Sequence, residues 1–72
     1  MLTKEIFTQK LSEKIRQARE DSGMSQEEVA HQTKLYRTYI GHLENARYSP
    51  SAYILYKIAK SLKVEFTEFI NF

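Results

Sequence analysis

The chain has no cysteine and no tryptophan, and only one proline and two glycines in 72 residues. Without cysteine there is neither a disulfide framework nor a thiolate metal site, and a reducing cytoplasm is the expected location, on the nucleoid when nucleic acid is bound. So little proline and glycine, beside 42% apolar residues, points to helices rather than a loop-rich or disordered chain. No apolar run approaches the roughly 20 residues that cross a bilayer, and the N-terminus lacks the apolar core of a signal peptide. The two histidines, His31 and His42, stand on separate predicted helices with no acid or cysteine at ligand spacing, so no metal and no cofactor are expected. No nucleophile–base pair, phosphate loop or paired carboxylates can be named, which argues against an enzyme. A single domain over 1–72 is expected, near the lower size limit for a fold without cross-links.

What the sequence does contain is helical periodicity and an uneven charge. Residues 1–30 carry five Lys/Arg against six Asp/Glu, residues 31–63 six against one, and residues 64–72 none against two. A basic centre suits a polyanion, although a charge run by itself is as readily a solvated face. Within that centre, Gln26 to Asn45 reads as two short helices. Val29 and Ala30 fit one face of the first, Ile40 and Leu43 one face of the second, and Leu35 plugs the corner. The apolar stripe changes face across Thr33–Tyr36, so one straight helix does not account for it; two helices meeting at an angle do.

The residues on this stretch carry a resemblance. Ser25–Ala30 (SQEEVA) and Arg37–Ile40 (RTYI) followed by Leu43-Glu44 resemble the helix-turn-helix of Xre/Cro-type repressors, most closely the recognition helix of restriction–modification controller proteins. The likeness continues through Pro50-Ser51 and Lys57–Leu62 to Val64 and covers roughly residues 11–70. It implies an all-α, compact five-helix, lambda-repressor-like domain that binds double-stranded DNA and regulates transcription. It also implies that Glu44 pairs with Arg19 of the first helix. Two positions depart from the family pattern. Lys34 stands where glycine is usual, in a left-handed backbone that costs a lysine on the order of 1 kcal/mol. Tyr36 stands where Ser, Asp or Asn usually caps the recognition helix, forgoing about 1 kcal/mol of capping.

Along the chain, helix 1 is expected to start between Thr3 and Thr8 and to end at Gly23, burying Phe7, Leu11, Ile15 and Ala18, with Glu13, Lys14, Arg16, Gln17 and Glu20 mainly on its wet face. Helix 2 opens on a Ser25–Glu28 capping box with Met24 as its staple. Gln26 is expected to offer its amide to a DNA phosphate, or else simply to be solvated. In helix 3, Arg37 is the candidate for a guanine O6/N7 contact and Thr38 for a base edge or thymine methyl. Gly41, His42 and Asn45 share the outward side, and Tyr39 sits beside it with a hydroxyl for a phosphate. A mid-helix glycine costs roughly 1 kcal/mol against alanine, so Gly41 implies close approach of a sugar-phosphate chain or a neighbouring helix. Lys34, Tyr36, Arg47 and Tyr48 are candidates for the DNA backbone.

Ser51 is expected to cap helix 4 (about 51–62), which buries Ala52, Leu55, Ile58, Ala59 and Leu62. A short helix 5 (about 66–71), capped by Thr67, is expected to form a homodimer interface from Phe66, Phe69, Ile70 and Phe72 with Tyr53 and Ile54 of helix 4; the other possibility is that Phe66 and Phe69 close the monomer core. The function expected is a sequence-specific transcriptional regulator, homodimeric on a palindromic operator, acting by blocking or recruiting RNA polymerase. A restriction–modification controller and a phage or mobile-element repressor both fit, with no small-molecule effector. The competing class is a protein-interaction module of the same fold, such as an antitoxin.

Overall fold

Thr3 opens the first helix: its hydroxyl accepts the Ile6 N–H at 3.1 Å, satisfying a donor that the helix start would otherwise leave orphaned. In the computed structural model, which describes all of residues 1–72, four α-helices follow in order: α1 (Lys4–Asp21), α2 (Gln26–Thr33), α3 (Arg37–Glu44) and α4 (Ala52–Leu62). A 3₁₀ turn, Phe66–Phe69, ends the chain's regular structure. The α2 start is doubly tied, with Glu28 N–H donating to the Ser25 hydroxyl at 3.0 Å and Ser25 N–H donating back to the Glu28 carboxylate at 2.8 Å. The backbone N–H and hydroxyl of Ser25 hold the Glu28 carboxyl below its ordinary range. Ser51 caps α4 through Ile54 N–H at 3.2 Å. Only α3 starts without a side-chain cap, because Tyr36 stands at that position.

The helix ends share one geometry. After each helix a residue turns left-handed: Gly23 at φ 72°, Lys34 at 60°, Ala46 at 61° and Lys63 at 59°. The residue after it donates its N–H back to the carbonyl five positions earlier: Met24 to Arg19 at 3.2 Å, Leu35 to Ala30 at 3.0 Å, Arg47 to His42 at 2.9 Å and Val64 to Ala59 at 3.1 Å. This is the Schellman closure, in which an apolar residue beyond the turn folds back on the helix. Met24, Leu35 and Val64 do so, half-buried against the core. Arg47 alone breaks the pattern and is exposed. Glycine occupies only one of the four left-handed positions, so three side chains sit in a conformation that disfavours them.

The core joins all four helices: Leu11 and Ile15 from α1, Val29 and Ala30 from α2, Ile40 and Leu43 from α3, and Leu55, Ile58, Ala59 and Leu62 from α4. Thr8, Ser12 and Thr33 are buried beside it, with the hydroxyls of Ser12 and Thr33 donating to carbonyls one turn back. Ala52, expected inside, is exposed, because it lies in the first turn of α4 before that helix reaches the core.

The tail departs from expectation. It forms a 3₁₀ turn rather than an α-helix over 66–71, it begins after Glu65 with no side-chain cap, and Thr67 lies inside it. Phe69 is 0% exposed and belongs to the core of one chain, against α1 and α4, so it is not available to an interface. Phe66 is half-buried against the same core. A core this small lacks enough aliphatic volume to close its open end, and an aromatic from the tail fills it. Phe72 lies edge-on to Phe7, with ring centroids 5.4 Å apart.

Relief of one left-handed strain gives a direct check. Lys63→Gly should raise stability by about 0.5–1 kcal/mol, the strain removed less the entropy glycine adds to the unfolded chain, seen as a melting temperature higher by a few degrees.

Candidate nucleic-acid interface

Helix α3 is held by one face and by a buried carboxylate. Ile40 and Leu43 are in the core, and the Glu44 side chain is 1% exposed. A carboxylate removed from water needs partners for both oxygens. Arg19 supplies two in a fork, Nε to Oε2 at 2.6 Å and Nη2 to Oε1 at 2.9 Å, and its Nη1 donates to the Met24 carbonyl at 2.9 Å. The Gln26 amide donates a third bond to Oε1 at 3.1 Å. No buried side-chain polar atom is left without a partner. The hydrogen bond to Glu44 raises the Arg19 pKa above its ordinary value, against the opposing effect of burial. The network therefore joins α1, the start of α2 and the end of α3.

Gln26 consequently does not point its amide N–H at a phosphate as expected; the unfilled lone pair of the buried Glu44 draws it inward. In that direction its oxygen lies 3.6 Å from where a Cβ on Gly41 would stand. Gly41 thus lines the seam between α2 and α3, and that distance is ordinary contact, so no neighbouring helix forces the glycine. Asn45 is also engaged: its Oδ1 accepts from Arg16 Nη2 at 3.1 Å.

Arg16, assigned to the wet face of helix 1, was missed as a site residue. Its Nη2 also donates to the Glu44 carbonyl at 2.9 Å, satisfying an orphan acceptor at the end of α3, and its Nε lies 3.7 Å from the Glu44 carboxylate. The three-residue spacing from Arg19 puts both guanidiniums on one side of α1, which is the signal that could have found it.

The other face of α3 is open. Arg37 and Thr38 are exposed in its first turn, Tyr36 just before it is 83% exposed, and Lys34 and Arg47 are exposed in the flanking loops. Tyr39 and His42 are half-buried at the edge of this face, and Tyr48 covers them with its ring. With Glu44 neutralised inside, only cations remain on the surface of residues 31–63. No group of histidines and acids is placed to hold a metal. No helix is long and apolar enough to cross a membrane.

A short, exposed, basic helix set at an angle on a second helix defines a helix-turn-helix domain of the DNA-binding kind. The comparisons agree. Residues 15–69 match the helix-turn-helix family HTH_3, and the chain belongs to it. It is 41% identical over 54 residues to an uncharacterized HTH-type transcriptional regulator of Methanothermobacter thermautotrophicus, covering 75% of this chain and 78% of that protein. The restriction–modification controller protein C.AhdI of Aeromonas hydrophila superposes with a TM-score of 0.83 at 31% identity, over 86% of this chain and 94% of that one. The controller C.Esp1396I superposes with a TM-score of 0.82 at 32% identity, over 90% and 86%. C.Esp1396I has also been crystallised as a tetramer in complex with its natural 35 base-pair operator. The chain is a DNA-binding transcriptional regulator of this family.

Removing the central carboxylate should show what the network does. Glu44→Ala strands the Arg19 guanidinium, only 14% exposed, and is expected to lower stability by about 3–5 kcal/mol in urea unfolding. Arg16→Ala, whose side chain is 45% exposed, should cost only about 1 kcal/mol.

Proposed function

We propose that this protein is a sequence-specific, homodimeric operator-binding regulator of a restriction–modification operon, its own gene included. The observation that carries the reading is the open first turn of α3, with Arg37 and Thr38 exposed on a helix whose angle the Glu44 network holds. A rigid helix with its N-terminal side chains free is the geometry that reads base edges in a major groove. Arg37 has the fork that matches guanine O6 and N7; Thr38 has a hydroxyl and a methyl for the adjacent base. Lys34 and Arg47 flank that turn and neutralise phosphates, and Tyr36, extended from the turn, lies along the sugar-phosphate chain. At the start of α2, the capping box uses the N–H groups of Ser25 and Glu28. Those of Gln26 and Glu27 are then the orphan donors available to a phosphate, in place of the Gln26 side chain.

The controller assignment is supported by the likeness to C.AhdI and C.Esp1396I. Dimerisation is supported by exposed apolar side chains on α4 and the tail, Tyr53, Ile70 and Phe72 at 67%, 41% and 44%, with Ile54 and Phe66 half-buried beside them. A two-fold dimer would set two reading helices about 34 Å apart, one turn of DNA, and so require a palindromic site. Bound beside a promoter, it would block or recruit RNA polymerase.

Selection of bound duplexes from a random pool tests the reading and yields the site with its symmetry. A palindrome with half-sites one turn apart is expected; enrichment of no sequence would sink the proposal. On the selected duplex, Arg37→Ala should weaken binding by about 1–3 kcal/mol and relax preference at one base pair.

Gly41→Ala separates fold from binding. With its nearest neighbour at 3.6 Å, the variant should melt higher by the gain in helix propensity, up to about 1 kcal/mol. Its affinity for the duplex should fall, because the methyl fills the space a sugar-phosphate chain would use; unchanged affinity would remove Gly41 from the interface.

A further inference from the structure

Three rings meet at the edge of the reading face, and the sequence reading did not anticipate their contact. Tyr39 stacks on Tyr48 with centroids 5.9 Å apart and planes 25° apart, and His42 meets Tyr48 edge-on at 5.3 Å and 88°. Both are favourable geometries for aromatic pairs. Tyr39 and His42 lie three residues apart on α3 and so share one stripe, while Tyr48 comes from the loop beyond the helix. The loop's course is tied to that stripe, since Arg47 N–H donates to the His42 carbonyl at 2.9 Å and Ala46 turns left-handed to allow it.

Tyr48 does not act as a core residue. It is 51% exposed and absent from the apolar cluster, unlike Tyr39, which packs partly against it. What its ring covers is the side of Tyr39 and His42. A tyrosine in the first turn of an exposed helix would otherwise sample several rotamers and lose that freedom on binding, at the expense of affinity.

We infer that Tyr48 is a positioning residue: its ring holds Tyr39 and His42 in the orientation they present to DNA, and it acts on operator affinity through Tyr39. This rests on the DNA-reading role of α3 proposed above. It differs from a backbone clamp, in which the Tyr48 hydroxyl would itself touch a phosphate. The ring, and not the hydroxyl, is what matters.

The test uses the full chain and the duplex selected by the unmodified protein. Tyr48→Phe, which keeps the ring, should bind within about twofold of the unmodified protein. Tyr48→Ala should bind between about twofold and tenfold more weakly, the worth of an aromatic pair, with the salt dependence of binding and the melting temperature unchanged. The double variant Tyr39→Ala/Tyr48→Ala should bind no more weakly than Tyr39→Ala alone. In the absence of DNA, three-bond couplings should report one Tyr39 χ1 rotamer in the unmodified protein and in Tyr48→Phe, and averaging in Tyr48→Ala. The inference is overturned if Tyr48→Phe loses as much as Tyr48→Ala with a salt slope lower by about one, the mark of a direct phosphate contact. It is equally overturned by additive losses in the double variant, or by Tyr39 averaging already in the unmodified protein. If the unmodified protein selects no duplex, the DNA-reading proposal falls, and the couplings still decide whether Tyr48 orders Tyr39.

Discussion

The Glu44 carboxylate sits out of water at the end of the helix that must present itself to a partner. Its side chain is 1% exposed and takes three charge-assisted or amide hydrogen bonds from two other helices. Burying an ion costs several kcal/mol, and Coulomb attraction offsets that only when the geometry is good and every lone pair is used. Apolar packing of Ile40 and Leu43 could hold α3 against the core at several angles. A planar guanidinium fork admits few, and Gln26 ties the same oxygen to the start of α2. Everything on the open face, from Arg37 to Asn45, inherits its direction from that constraint. Arg16 adds to it from outside by bonding the last carbonyl of α3 and the Asn45 side chain.

A second constraint comes from size. Four short helices in 72 residues mean many ends close to the core, and each end leaves carbonyls to be satisfied. The same closure is used at all four, with apolar Met24, Leu35 and Val64 returned to the core. At the end of α3 the returning residue is Arg47 instead, exposed beside the reading face. The position that elsewhere adds apolar burial is given to a cation where nucleic acid would lie. This trade of stability for function is the kind that recurs at binding sites. Lys34 is a parallel case, a charged side chain kept in a left-handed backbone where glycine would be unstrained.

The tail shows how a small domain divides its aromatic residues. Phe69 seals the open end between α1 and α4 and Phe66 supports it, whereas Phe72 reaches only Phe7 and, with Ile70 and Tyr53, stays accessible. Apolar content alone could not separate these roles, since all three phenylalanines fall within seven residues. Which one goes inside depends on the 3₁₀ turn that replaces the expected helix, because its tighter winding changes which side chains share a face.

Local chemistry was legible from residues alone. Thr3, Ser25 with Glu28, and Ser51 announced their caps, Gly23 its left-handed turn, and the spacing of Leu11, Ile15, Val29, Ile40, Leu43, Leu55, Ile58 and Leu62 the buried faces, because each depends on neighbours within about one helical turn. The reading helix and its exposed Arg37 and Thr38 followed from the same periodicity. What lay beyond it were contacts between residues far apart in the chain. Gln26 turns inward because a carboxylate eighteen positions away has a lone pair to fill. Arg16 joins the site because its helix crosses the end of α3. Phe69 enters the core because two helices leave a gap of its size. Periodicity decides which face of a helix is buried; only the packing of helices against one another decides which polar groups meet, since that depends on crossing angles the local sequence does not encode.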